Sequence, residues 1–103
     1  MAELVKVTRV GDVAPGQAKV VQVNGKEIAL CNVGGSLYAV DNICTHDGGS
    51  LDQGRLEWNV IECPRHGAQF DVRSGKALCL PAVLPVTTYR VVVQGDDIEV
   101  AAS

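Results

Sequence analysis

The sequence predicts an all-β domain built from antiparallel strands. Short runs rich in β-branched and aromatic residues alternate with turn signals along almost the whole chain. Helical periodicity is nearly absent, and 103 residues leave room for one domain with a modest single core. Asn24-Gly25, between two such runs, is a strong hairpin signal because both residues tolerate the positive φ angles of a two-residue turn.

Four strands are predicted in the first half of the chain. Each is an apolar or alternating run that ends at glycine or polar residues, and they cover residues 5–9, 19–23, 27–33 and 37–41. Asn24-Gly25 joins the second strand to the third, and Gly34-Gly35 joins the third to the fourth. The last three of these strands are therefore predicted to form consecutive hairpins.

Six further strands are predicted in the second half, at residues 55–58, 59–62, 69–72, 76–80, 87–94 and 98–101. Ser74-Gly75 separates the third from the fourth of these strands, and Gly95-Asp96 separates the last two. Val91-Val92-Val93 is too β-branched for a good helix, so residues 87–101 predict a final hairpin.

Two short segments carry the candidate ligands, Cys44-Thr45-His46 and Cys63-Pro64-Arg65-His66. They hold both histidines of the chain, and each offers one thiolate and one imidazole. Each segment follows a predicted strand, so the two loops that carry the segments can meet at one end of the domain. Two cysteines and two histidines hold the irons of one kind of [2Fe–2S] cluster. Zinc accepts the same ligands, but its sites commonly pair Cys with Cys and His with His, whereas each segment here mixes them.

The residues around both segments carry a resemblance to a known family. They are Cys44-Thr45-His46-Asp47-Gly48-Gly49-Ser50-Leu51, Cys63-Pro64-Arg65-His66-Gly67-Ala68-Gln69-Phe70-Asp71, Ser74-Gly75-Lys76-Ala77 and Pro81-Ala82-Val83. This order resembles the Rieske-type [2Fe–2S] ferredoxins, in particular the ferredoxin components of bacterial aromatic ring-hydroxylating dioxygenase systems. The resemblance covers essentially the whole chain.

The resemblance implies a fold, a cofactor and its ligands. The fold is the Rieske fold, an antiparallel β-sandwich scaffold with a small two-loop cluster-binding subdomain. We expect a single domain over residues 1–103, with the subdomain at about residues 42–85 and one Rieske [2Fe–2S] cluster. Cys44 and Cys63 are expected to hold the inner iron, and His46 and His66 the outer, more exposed iron.

Departures from the wider family refine this expectation. Gly49 and Arg65 stand where some Rieske proteins carry a disulfide, so that bond is not expected here. Ala68 and Phe70 stand where others carry hydroxyl groups that donate hydrogen bonds to the cluster sulfurs. Because such bonds raise the reduction potential, we expect a potential near the low end of the range of roughly −150 to +300 mV.

The resemblance implies a one-electron carrier and not an enzyme. It would pass electrons from a flavin-dependent NAD(P)H ferredoxin reductase to a terminal oxygenase in aromatic hydrocarbon catabolism. Two alternatives stay open: the small Rieske subunit of an assimilatory nitrite reductase, and a free-standing redox or iron–sulfur accessory ferredoxin. No catalytic nucleophile with its base is evident, since both histidines are assigned to iron.

The composition limits which binding partners and which cellular location are expected. The formal net charge of −3, without a cluster of Lys or Arg, argues against nucleic acid. No apolar run is long enough to span a membrane, and the first six residues do not resemble a signal peptide. We expect a cytoplasmic protein, and a monomer because its tip must face two partners in turn.

The sequence also predicts the environments of four further residues. Cys31 and Cys79 are expected to be core residues rather than a disulfide, with Cys79 near the cluster. Trp58 is expected to pack on the scaffold, with a docking role as the alternative. Phe70 is expected to pack beneath the second loop and shield the cluster.

Overall fold

The computed structural model describes residues 3–45, 48–65, 67–80 and 84–101. Its strands are β1 (Leu4–Arg9), β2 (Ala18–Val23), β3 (Lys26–Val33), β4 (Ser36–Asp41), β5 (Arg55–Glu57), β6 (Val60–Glu62), β7 (Gln69–Asp71), β8 (Ala77–Cys79), β9 (Thr88–Gln94) and β10 (Asp97–Ala101). Every predicted strand is present, with ends within one residue of those expected. Two short 3-10 helices, Val10–Asp12 and Leu51–Gln53, were not predicted.

The strands form two sheets in which every pairing is antiparallel. The scaffold sheet has the order β1-β10-β9-β4-β3-β2, and the smaller sheet has the order β5-β6-β7-β8. A short pairing of β4 with β9, Ala39 with Tyr89 and Val40 with Thr88, joins two three-stranded halves of the scaffold. The edge strands β1 and β2 approach each other, so the scaffold folds over on itself. This confirms the predicted all-β antiparallel architecture.

The β2–β3 hairpin shows how the sequence specifies a turn. Asn24 and Gly25 have φ angles of 53° and 81°, and β2 pairs with β3 from Val23 opposite Lys26 onward. Positive φ at both turn residues matches the twist of the flanking strands, and asparagine and glycine adopt it at the lowest cost. The predicted hairpin is confirmed.

β3 is buried on both faces from Ile28 to Val33. Ile28 and Leu30 contribute to one apolar core, and Ala29, Cys31 and Val33 contribute to another. The scaffold core contains Val13, Val21, Val23, Ile28, Leu30, Ala39, Ile98 and Val100. The cysteine core contains Ala29, Cys31, Val33, Val40, Cys44, Leu51, Ile61, Cys63, Ala68, Phe70, Val72 and Val86. The expectation of a single core was therefore wrong, because side chains alternate across a strand and the smaller sheet covers the second face of β3.

Gly54 brings the smaller sheet close to the segment that follows the 3-10 helix Leu51–Gln53. A Cβ atom on this residue would overlap the backbone carbonyl oxygen of Glu62 and lie 3.2 Å from Cδ of Pro64. Only glycine allows this approach without a shift of backbone.

Within the described residues, no helix is both long and apolar enough to cross a bilayer.

We expect Gly54→Ala to destabilise the protein by about 3 kcal/mol or more, since the obstacle is a backbone carbonyl that cannot move aside. Gly11→Ala is the matched control, because a Cβ at Gly11 has nothing within 4 Å, and it should change stability by less than about 0.5 kcal/mol. Urea denaturation of both variants measures the difference. Equal midpoints would show that the close approach at Gly54 does not exist.

Candidate metal centre

Two loops carry the predicted ligands. The first cysteine loop, residues 42–50, follows β4, and the second cysteine loop, residues 63–68, connects β6 to β7. Cys44 and Cys63 are each 1% exposed and belong to the same cysteine core. The structure thus places two cysteines from distant parts of the chain in one buried core.

Both cysteine loops have the same hydrogen-bond pattern. The N–H of Cys44 donates to the carbonyl of Gly49 (2.8 Å), and the N–H of Gly48 donates back to the carbonyl of Cys44 (2.8 Å). In the second loop Cys63 donates to Ala68 (2.7 Å), and Gly67 donates to Cys63 (3.2 Å). Each cysteine is therefore bonded to the residues four and five positions after it, so the two loops hold their cysteines in the same way.

Glycine is required in both loops by backbone conformation. Gly48 and Gly67 each have a φ of 75°, in the left-handed region where a side chain is strained. A Cβ on either residue would have nothing within 4 Å, so space is not the reason for glycine. The matching φ angles extend the similarity between the two loops.

The histidine ligands cannot be placed in the same way. His46 and His66 lie outside the described residues, and so do Asp47, Pro81, Ala82 and Val83. Within the described part of the chain, no group of three or more His, Cys, Asp or Glu side chains could hold a metal ion. Two cysteine sulfurs need further ligands to hold a cluster, and His46 and His66 remain the predicted ones.

The walls around the two cysteines are apolar. Leu51, Ala68 and Phe70 are completely buried in the same core, and Phe70 is its largest side chain. The burial of Phe70 in the same core as Cys63 agrees with the expected packing beneath the second loop, and its shielding of the cluster stays a prediction. Two soft sulfur donors in a water-excluding pocket fit an iron–sulfur cluster, whose thiolate ligands are stabilised by iron rather than by solvent.

The segment after residue 83 is fastened to both the first cysteine loop and the smaller sheet. The hydroxyl of Thr45 donates a hydrogen bond to the carbonyl of Leu84 (2.8 Å). The N–H of Val86 donates to the carbonyl of Gly75 (2.8 Å), and a Cβ on Gly75 would overlap the carbonyl of Val86. Thr45 was not singled out from the sequence, because its partner lies 39 positions away.

Comparison with known proteins identifies the family. The sequence model of the Rieske [2Fe–2S] domain matches residues 3–90 of this chain. The chain belongs to the Rieske [2Fe–2S] domain family. Its cofactor is accordingly one Rieske-type [2Fe–2S] cluster, and the donor set of the two loops agrees with that cofactor.

Relatives with nearly the same length are ferredoxins. The ferredoxin component of biphenyl 2,3-dioxygenase from Rhodococcus jostii (strain RHA1) is 42% identical over 95 residues, which cover 92% of this chain and 89% of that protein. The ferredoxin of carbazole 1,9a-dioxygenase from Nocardioides aromaticivorans IC177 superimposes with a TM-score of 0.95 and 39% identity, covering 99% of this chain and 100% of that chain. This Rieske chain is therefore an electron-transfer protein and not an oxygenase.

A third relative is found in an assembly. A solved complex of reduced oxygenase and oxidised ferredoxin in carbazole 1,9a-dioxygenase contains a chain with a TM-score of 0.90 and 35% identity. The match covers 95% of this Rieske chain and 92% of that chain.

The two remaining cysteines of the Rieske chain differ in environment. Within the described residues both are free thiols. Cys31 is buried, and burial raises the pKa of its thiol to about 12. Cys79 is exposed at the end of β8, with Sγ 3.7 Å from the carbonyl of Gly67. The core prediction was right for Cys31 and wrong for Cys79, because β8 is an edge strand of the smaller sheet.

Trp58 lies in the turn between β5 and β6. The residue is 66% exposed, and a Cβ on Gly34 would be 2.7 Å from Cη2 of the indole ring. The predicted packing on the scaffold is therefore limited to the end of the indole over Gly34. Trp58 also has a φ of 54°, an uncommon conformation for a residue with a side chain.

We expect iodoacetamide at about pH 8 to alkylate only Cys79 in the folded, cluster-loaded protein. Cys31 should stay unmodified because it is buried and its thiol remains protonated, with a pKa of about 12. Mass spectrometry of the intact protein and its peptides measures the labelling. Cys79→Ser should abolish it, and denaturant with an iron chelator should expose all four cysteines. Rapid labelling of Cys31 in the native protein would contradict its placement in the core.

Proposed function

We propose that this chain is the ferredoxin component of an aromatic ring-hydroxylating dioxygenase system. It carries one electron at a time from a flavin-dependent NAD(P)H ferredoxin reductase to the terminal oxygenase. The observation that carries this proposal is the similarity along nearly the whole length to a biphenyl dioxygenase ferredoxin component. The solved complex of an oxygenase with a related ferredoxin supports the oxygenase as the electron acceptor. The relatives described above lend no support to a nitrite reductase subunit or an accessory ferredoxin.

Cys44, His46, Cys63 and His66 are proposed as the cluster ligands. The burial of both cysteines in one core and the matching closure of both loops support the sulfur half of this assignment. When bound, the cluster supplies the site that accepts and releases an electron. The protein supplies a rigid, water-excluding pocket on the sulfur side, within a subdomain that we place at residues 42–85 of a single domain spanning 1–103.

A low reduction potential is part of this proposal. Ala68 and Phe70 are buried beside the cysteines, and neither carries a hydroxyl that could donate a hydrogen bond to sulfur. Hydrogen bonds to the sulfurs stabilise the extra negative charge of the reduced state, so their absence favours a potential near the low end of the Rieske range. Such a potential suits a carrier that receives electrons from a flavin reductase.

An apolar rim beside the cysteine loops is the proposed docking face for the oxygenase. It is defined by Ile43, Leu78, Leu80 and Leu84, which are all exposed large apolar side chains. Ile43 precedes Cys44, and Leu84 accepts the hydrogen bond from Thr45. Residues 77–89 contain no charged side chain. Exposed apolar side chains without charge beside an electron-exit site are suited to a partner that excludes water from the contact.

Location and oligomeric state are also proposed. The free thiols of Cys31 and Cys79 suit a reducing compartment, and we propose the cytoplasm. A carrier that must release one partner before it binds the next is suited to a monomer with small, transient interfaces.

The ligand assignment is tested by EPR of the dithionite-reduced protein, with iron and sulfide assayed on the same sample. We expect a rhombic Rieske signal and about two irons per chain, because histidine ligation of one iron gives the cluster its distinctive electronic structure. His46→Ala should lose the signal, whereas Cys79→Ser should keep it as a matched control outside the ligand set. A folded His46→Ala protein with an unchanged signal would overturn the assignment.

The docking face is tested by substitution of the apolar rim. Leu80 and Leu84 are 77% and 60% exposed, so Leu80→Ser and Leu84→Ser should leave the fold and the EPR signal intact. Each should lower kcat/KM for the ferredoxin in a reconstituted oxygenase assay by about tenfold, the loss expected for an apolar contact at the centre of an interface.

Val93→Ser is the matched control for the rim, because Val93 is 48% exposed on β9 of the scaffold and lies outside the rim. It should leave kcat/KM unchanged. If all three variants retained wild-type kinetics with the oxygenase, the apolar rim would not be the docking face.

A further inference from the structure

The bases of the two cysteine loops are closed in different ways. At the second loop, Glu62 of β6 and Gln69 of β7 are direct ladder partners, and Nε2 of Gln69 donates to Oε2 of Glu62 (2.9 Å). At the first loop, β4 ends at Asp41 and the chain continues into the 3-10 helix Leu51–Gln53. Within the described residues, no strand ladder joins the two ends of the first cysteine loop. Another interaction must hold the two ends of the first cysteine loop together.

Asn42 and Asp52 provide that interaction. Nδ2 of Asn42 donates to Oδ1 of Asp52 (2.8 Å), and Oδ1 of Asn42 accepts from the backbone N–H of Asp52 (2.8 Å). This reciprocal pair spans ten positions and encloses Cys44. This pair therefore closes the first loop, as the pairing of β6 with β7 closes the second.

Asn42 is also anchored to the scaffold. The residue is 2% exposed, and its backbone N–H donates to the carbonyl of Glu27 (3.1 Å). Nδ2 makes a longer hydrogen bond to Oε1 of Glu27 (3.4 Å). Glu27 belongs to β3, the strand that lies between the two cores. The amide thus fixes both ends of the first loop relative to β3.

The closure continues toward the second loop. Two residues after Asp52, Gly54 lies against the carbonyl of Glu62, and Arg55 of β5 then pairs with Glu62 of β6. Cys63 follows directly. A short, rigid path therefore leads from Asn42 through Asp52 and Gly54 to the base of the second cysteine.

We propose that Asn42 is a positioning residue of the metal centre, which closes the first cysteine loop and sets the position of Cys44 relative to Cys63. This inference rests on the cluster ligation proposed above and is independent of the choice of partner. A buried amide with its donors and acceptor satisfied is costly to truncate, because the N–H of Asp52 and its Oδ1 then lose their partner, while Oδ2 keeps the hydrogen bond from Gln53. Since a cluster demands a fixed separation of its ligands, loosening this base should weaken cluster binding before it unfolds the scaffold.

The primary test compares Asn42→Ala with Asn32→Ala. Asn32 is the matched control because it is also a buried asparagine, and its side chain bonds to backbone atoms of Val13 and Gly35, outside both cysteine loops. Cluster loss is followed by bleaching of the visible absorbance in the presence of an iron chelator, and scaffold stability by urea unfolding of the apo-protein. We expect Asn42→Ala to lose its cluster about 10- to 100-fold faster than wild type. Asn32→Ala should lower the unfolding midpoint without accelerating cluster loss in the folded state.

A second readout separates positioning from general destabilisation. The EPR signal of Asn42→Ala, recorded before cluster loss, should be broadened or shifted because Cys44 is held less uniformly, whereas the signal of Asn32→Ala should match wild type. Wild-type EPR tests the ligation itself, so failure of the ligand assignment and failure of this inference are distinguishable. If Asn42→Ala does not fold, Asp52→Ala, at a partly exposed position, removes the carboxylate that accepts from Nδ2 of Asn42 and is expected to show the same accelerated cluster loss.

Exchange of the two partners gives the most specific result. Both exchange variants are made in a Glu27→Gln background, because a carboxylate at position 42 would otherwise face Oε1 of Glu27. In that background Asn42→Asp places two carboxylates against each other and should accelerate cluster loss. Adding Asp52→Asn returns the amide donor from the other side. The carboxylate introduced at position 42 still accepts the backbone N–H of position 52, so cluster lifetime should recover to within about threefold of wild type.

Two results would overturn the inference. One is a cluster lifetime and EPR signal in Asn42→Ala that match those of Asn32→Ala. The other is an exchanged pair that loses its cluster at least as fast as Asn42→Asp in the same Glu27→Gln background, because the two variants then differ only in the residue at position 52.

Discussion

β3 has both faces buried, and the metal centre depends on this arrangement. Ile28 and Leu30 on one face anchor the scaffold core, while Ala29, Cys31 and Val33 on the other form the floor of the cysteine core. Cys44 and Cys63 are packed against a strand that the scaffold already holds rigid. Sites supported by regular strands are positioned more tightly than sites supported by loops alone. The smaller sheet, with strands of only three residues each, relies on this shared wall for its stability.

The burial of two cysteines in an apolar core also couples folding to cofactor binding. A ligating cysteine is a thiolate, and a bare thiolate is costly to bury among Leu51, Phe70 and Ala68. Iron offsets that charge when the cluster is present, so the loops and the cofactor stabilise each other. Cys31 in the same core shows the protonated alternative, since burial raises the pKa of its thiol to about 12.

Local chemistry explains which parts of the fold were predictable. Asn24-Gly25 and the Val-rich run 91–93 specify turns and strands through backbone preferences, so all ten strands of the described chain were anticipated. The 3-10 helices are too short to leave a periodic signal. Cys79 was misjudged because edge position is a property of strand order, which no local pattern reveals. The two Cys/His pairs drew attention to Cys44 and Cys63, which the structure buries in one core, but Asn42 was missed because its partners Glu27 and Asp52 are set by the tertiary fold.

The residues that make the metal centre rigid are different from the residues that it exposes to solvent. At the base of the loops, Asn42 is buried and saturated with hydrogen bonds, and Cys44 and Cys63 are closed off from water. Around them, Leu80 and Leu84 present uncharged surface to solvent. An electron carrier needs both properties. A rigid, dry base limits the rearrangement that accompanies a change of charge, and a small apolar rim allows close but short-lived contact with a partner. Because each property is provided by different residues, substitutions at the rim alter partner contact while the cysteine geometry stays as it is.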